Sequence, residues 1–176
     1  MTNSNERHRL SLIIATLGPS TDNEKELITM LMAGIARQWT DGVDIARILH
    51  SDGEDIARNR IDVFRSQSKK RNLSTQIYLD TDSENIDIEK YINFANTVGP
   101  DIATFPKSIG IENFSKIKDN LNSEIKISLR LKNSDSLDDL DSYYDHCAYV
   151  MIESSSQDIV DNKLVEGAKS KNVEPI

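Results

Sequence analysis

The chain holds a single cysteine, Cys147, so no disulfide can form within it, and that usage fits a reducing compartment. No apolar run reaches the ~20 residues that a membrane-spanning helix needs. The first ten residues, MTNSNERHRL, lack the apolar centre of a secretory signal and read as a disordered lead-in. A cytoplasmic location is therefore expected, and the sequon at Asn113-Phe114-Ser115 carries no glycosylation meaning. Positive charge is in short supply: 21 lysines and arginines face 29 acids, for a formal net charge of -8. Such a chain is repelled by nucleic acid and by anionic membranes, so neither is an expected partner. The one basic cluster, Lys69-Lys70-Arg71, has the place of a helix C-terminus, where cations complement the dipole. Linkers, low-complexity stretches and breaks in composition are missing too. The 176 residues are expected to form one domain over residues 11–176 with a sizeable core.

What is present is a rhythm. LIIATL (12–17) is apolar without alternation, as in a strand covered on both faces. Thr21-Asp22-Asn23-Glu24 has capping-box spacing. Behind it Leu27, Ile28, Leu31, Met32, Ile35 and Trp39 recur at three and four residues, with Gly42 as the expected stop. Five further strands follow in VDIARIL (43–49), TQIYLD (75–80), DIATF (101–105), IKISLRL (125–131) and AYVMIES (148–154). Each precedes a helical pattern, carried in turn by EDIARNRIDVFRSQSKKR, by Ile88 to Val98, by Ile111 to Leu121, by Leu137, Leu140 and Tyr144, and by Ile159, Val160, Leu164 and Ala168. A seventh strand is expected at NVEPI. Six β–α units and the start of a seventh predict a parallel sheet with right-handed crossovers. Periodicity alone leaves a doubly wound sheet and a (β/α) barrel both open, and length favours the first, because a closed barrel typically takes about 250 residues.

The motifs favour the barrel. IIATLGPST (13–21), followed by a helix and VDIARILHSDG (43–53), resembles the N-terminal signature of the pyruvate kinase family. IYLDTDSENID (77–87), DIATFPKS (101–108) and ISLRLKN (127–133) resemble its third, fourth and fifth strands in order and spacing. The resemblance runs from about residue 10 onward. It implies a parallel TIM-barrel-like domain, incomplete at six to seven units, without the family's inserted β domain and C-terminal domain.

It also implies that much of the family's chemistry is lost. The two carboxylates that hold a divalent ion at the ends of strands five and six are matched by Lys132 and Ser156. The catalytic lysine of strand five is matched by Arg130, which keeps the charge but does not give up a proton. The monovalent-cation site leaves Ser51, Asp80 and Thr81, with Leu49 in place of an asparagine. A phosphate-binding arginine becomes Asp87, while Arg47 and Lys107 remain as anion contacts. No Mg or K cofactor is then expected. The function implied is an oligomerising or partner-binding protein with a residual phosphate or carboxylate pocket. Its partner would be a second copy, or another protein, covering the open barrel. The alternative is an active enzyme on phosphoenolpyruvate- or pyruvate-like substrates, completed by another chain.

Plainer roles compete for the same residues. Arg47 and Asp80 would pair on adjacent strands, since a buried charge needs a partner. Ser51 and Thr81 would cap helices. His50 would fill space rather than act as a base, His146 and Cys147 would be structural, and DSLDDLD (135–141) would open a solvated helix. Trp39 would be core or, if exposed, an interface anchor.

Overall fold

The computed structural model describes residues 12–33, 42–132, 135, 139–153 and 162–175, with 162–164 by backbone alone. The expected lead-in, Ile35, Trp39, Leu137, Ser156, Ile159 and Val160 lie outside the described residues.

Seven strands carry the fold: β1 (Ile14–Leu17), β2 (Ile45–Leu49), β3 (Gln76–Asp80), β4 (Ile102–Pro106), β5 (Lys126–Lys132), β6 (Tyr149–Glu153) and β7 (Glu174–Pro175). Between them run α1 (Glu24–Leu31), α2 (Glu54–Lys70), α3 (Ile88–Val98), α4 (Ile111–Asn120), α5 (Leu140–Tyr144) and α6 (Asn162–Ser170). Strand order in the sheet follows the sequence from β1 to β7, and every pairing is parallel. A doubly wound sheet would reverse its strand order at a switch point. None occurs here, and the sheet curls into a half-barrel, an incomplete (β/α) barrel.

Strand side chains alternate between two faces. Ala46, Ile48, Leu79, Ala103, Phe105, Leu129, Leu131 and Val150 join the buried residues of the helices in one large core. Within it Tyr91, Phe105, Phe114 and Tyr143 meet edge to face in succession, at centroid distances of 5.2, 6.2 and 5.2 Å. Such contacts each add about 0.5–1.5 kcal/mol beyond area burial. On the concave face Ile45, Tyr78, Ile102 and Tyr149 form a second cluster, with Ala148 and Met151 against it. That cluster fills part of the interior of the open barrel, because two tyrosines are long enough to pack across it. Apolar surface stays exposed at and just before β1, where Leu12, Ile13 and Ile14 are 53%, 42% and 36% exposed and Ile14 stands beside Ile45 on the interior face.

Two acids at strand starts tie the lower end together. The Asp44 carboxylate accepts from Ile13 N at 2.7 Å and the Asp101 carboxylate from Ile77 N at 2.7 Å. Each stands in an Asp-Ile-Ala step and reaches back to the preceding strand. The basic cluster ends α2 as expected, Lys69 and Lys70 in the last turn and Arg71 at the cap.

Two local expectations are corrected. Asn23, not Thr21, caps α1, its side chain accepting from Lys25 N at 2.8 Å. Gly42 does not end that helix, which stops at Leu31. Gly42 has φ 78, and a Cβ there would come within 2.0 Å of the Leu31 carbonyl oxygen, so the chain before β2 passes directly over the end of α1. Among the described residues no helix is long and apolar enough to cross a membrane.

Candidate functional site

Parallel barrels present their chemistry at the C-terminal ends of the strands, and the first such end is Gly18-Pro19-Ser20-Thr21. This stretch is a single 3-10 turn at Pro19–Thr21. Thr21 Oγ1 accepts from Gly18 N and donates to Gly18 O, both at 2.9 Å, and Thr21 N donates to the same carbonyl at 2.8 Å. The turn thus spends these polar groups on itself. Its neighbour Asp22 is held by Arg60 of α2 in a two-pronged pair, Nε to Oδ1 at 2.6 Å and Nη2 to Oδ2 at 2.9 Å, while Arg60 Nη1 holds Asp52 of the loop after β2. One buried arginine fastens two mouth loops.

Asp80, at the end of β3, is the centre of the mouth and is fully buried. Arg47 Nε and Nη2 both meet its Oδ2, at 2.7 and 2.5 Å. The sheet register brings them together: Leu49 of β2 stands beside Asp80 and Arg47 lies two residues below on the same face. From the other side Arg130 Nη1 lies 3.7 Å from Asp80 Oδ1, and Asp82 N donates to that oxygen at 3.1 Å. The Arg130 side chain is 2% exposed. Its Nη2 and Lys132 Nζ both reach Glu84 Oε1, at 3.2 and 3.0 Å. Among the described residues, Arg130 Nε and Thr104 Oγ1 are buried without a well-formed hydrogen bond. Below them the Tyr78 hydroxyl bonds with Ser128 at 3.0 Å and donates to Met151 Sδ at 3.3 Å. Burial pushes that phenol up to about 12, so it stays protonated.

The other expected site residues go elsewhere. Ser51 Oγ donates to Asp82 at 2.7 Å and Thr81 Oγ1 to the Ser83 carbonyl at 3.4 Å. With Asp80 engaged by arginines, these three do not share one focus for a cation. Lys107 Nζ pairs with Asp139 at 2.6 Å and lies over the Tyr143 ring, away from the Asp80 network. Asp87 caps α3, accepting from Lys90 N at 3.1 Å. No group of three or more histidine, cysteine or acidic side chains that could hold a metal gathers among the described residues. The guanidinium groups of the mouth are held by the protein's own carboxylates, Asp80 and Glu84. These arginines cannot shuttle a proton.

His50 sits edge-on to Tyr91 at 5.1 Å and against Phe94 at 5.3 Å, with Glu54 at 3.8 Å. Burial is the largest influence on its pKa, which lies below 6.5. The unfolded chain takes up a proton near that value while the folded one resists, so stability drops as pH falls from 6.5 toward the folded pKa. His50→Phe is expected to fold and to flatten that decline, as measured by urea denaturation at pH 5 to 8. Burial pushes the Cys147 thiol up to about 12, so it stays protonated near neutral pH.

Two groups of contacts were not foreseen from the sequence. Glu84 belongs to a polar stretch with several acids and nothing marks it out. Arg60 does carry a signal, because it falls on the apolar spacing of Ala57, Ile61 and Phe64, all buried; a charge on such a face implies acids waiting for it. No family model matches the chain, and no curated protein matches it.

Proposed function

We propose that this chain is a pyruvate-kinase-like half-barrel that has lost phosphoryl transfer and acts in the cytoplasm as a self-associating protein with a small-anion pocket at its mouth. The observation that carries the reading is the fate of two positions. Lys132 stands where a metal-binding acid would be needed and bonds Glu84, and Asp80 is neutralised by Arg47 and Arg130. Phosphoryl transfer depends on a bound divalent ion and on cations left free to take up moving charge. Here the cations grip the protein's own acids. Arg130 nevertheless has a buried Nε–H without a hydrogen-bond partner among the described residues.

Self-association is supported by the edge strand. Leu12-Ile13-Ile14-Ala15-Thr16 carries no charge and no proline, the usual safeguards of an exposed edge. At the other end of the sheet, β7 carries Pro175, which lacks an N–H. Pairing of β1 with β7 of another copy is thereby discouraged, and β1 against β1 about a two-fold axis is favoured.

Calorimetry with phosphoenolpyruvate, pyruvate and ADP, together with native mass measurement, tests the reading. Expected are a dimer and binding of a small anion without ADP. Mg²⁺-dependent ATP formation that is lost in Arg130→Ala would overturn it in favour of an active enzyme completed by another chain.

A further inference from the structure

Glu84 is not part of the strand that bears its partners. It lies in the connection from β3 to α3, residues 81–87, and reaches past β4 to place one oxygen between Arg130 Nη2 and Lys132 Nζ of β5. We propose that the Glu84 carboxylate is a built-in stand-in for an external small monocarboxylate, which takes the Arg130–Lys132 pair when the loop lifts away. The inference rests on the anion-binding reading above and adds to it a ligand class and a gate.

Three observations carry it. The first is the identity of the group held: the two cations already grip a carboxylate oxygen, at ordinary ion-pair distances, so a carboxylate fits by demonstration. The second is the state of the cations without Glu84. Arg130 remains anchored to buried Asp80, and its Nε is buried with no partner among the described residues. The guanidinium is therefore pre-positioned and not saturated. The third is the weakness of the latch. The Glu84 and Lys132 side chains are both substantially exposed, so that arm of the latch is readily exchanged in water, while the arm to buried Arg130 is the firmer one. The loop is pinned at its base, where Ser51 Oγ donates to Asp82 at 2.7 Å, and is tied less closely around Glu84: Ser108 Oγ donates to the Glu84 carbonyl at 3.4 Å, and Asn85 N to Ser83 Oγ at 3.2 Å. Asp82 at the base of the loop has φ 45, a conformation non-glycine residues adopt only sparingly.

Glu153 sets the charge of the ligand. It ends β6 directly beside Lys132 in the register and is half-buried on the same face. A single negative charge exchanged for Glu84 leaves the balance of the site unchanged. A dianion such as phosphate adds a charge next to Glu153 and is disfavoured.

The test is an NMR titration of the full chain, at fixed pH and ionic strength, with acetate, propionate or inorganic phosphate. Wild type, Glu84→Gln and Arg130→Met are compared, with far-UV spectra confirming that each is folded. If the latch is closed about nine-tenths of the time, removing the competitor tightens acetate binding about tenfold. Arg130→Met is expected to lose it. Acetate binding that is unchanged in Glu84→Gln would overturn the gate. Phosphate binding more tightly than acetate in that variant would overturn the ligand class while leaving the anion pocket intact. Folded proteins that bind none of the three anions would overturn the pocket itself.

Discussion

Asp80→Ala is expected to lower the unfolding free energy by ~3–5 kcal/mol, the range found when one partner of a buried ion pair is removed. The reason is what stays behind. Asp80 is fully buried and joins Arg47 of the adjacent β2 and Arg130 of β5, one strand beyond β4. Without it Arg130, itself 2% exposed, keeps Glu84 as its one acidic partner among the described residues. Arg47 retains a path to water and can partly rehydrate, so Arg47→Ala should cost much less. Asp80→Asn preserves an acceptor for Asp82 N but not the charge, and should fall between. Removing all three charges at once, with Asp80→Leu, Arg47→Met and Arg130→Met, should recover much of the loss, because no stranded charge remains and buried apolar replacements of similar volume are tolerated. Urea denaturation with unchanged m-values is the measurement. A loss under ~1 kcal/mol for Asp80→Ala, the level of an exposed pair, would mean that the mouth is wetter than its geometry implies.

The same residues show how far the sequence could be read. Six apolar runs spaced by helical patterns became six strands in sequence order, because burial on both faces leaves little choice of residue. The pairing of Arg47 with Asp80 was legible too, since adjacent parallel strands place them on one face. The reach of Arg130 to Asp80 across β4 was not, for it depends on the curl of the sheet, which no run of residues encodes locally. Tyr78 and Tyr149 read as generic strand residues, and their length is what lets them pack with Ile45 and Ile102 in the interior of the open sheet. Thr21 had the spacing of a helix cap, yet its hydroxyl found the backbone of Gly18 three residues back. Side-chain to backbone bonds over three residues are available in several geometries, and spacing does not choose among them.

Arg60 is where the second large effect is expected. Arg60→Ala should destabilise the chain by ~2–3 kcal/mol, below the figure for a fully buried pair because Asp22 and Asp52 are partly exposed and can rehydrate. The arginine is 5% exposed and crosses from α2 to the turn after β1 and the turn after β2. Its loss leaves two carboxylates facing one space and unfastens the loops on either side of Arg47's strand, so anion binding at the mouth should weaken with stability. Acid provides an independent readout. The hydrogen bond from Arg60 is the largest influence on Asp22 and holds its carboxyl below the ordinary 3.8. Between that depressed folded value and 3.8 the unfolded chain binds more protons than the folded one. The clasp therefore contributes fully above pH 3.8 and fades as pH falls through the folded pKa. Wild type should lose stability steeply in that window and Arg60→Ala less steeply. Parallel acid profiles for the two proteins would show that Asp22 and Arg60 are not coupled in solution, and would remove the clasp as the device that shapes the mouth.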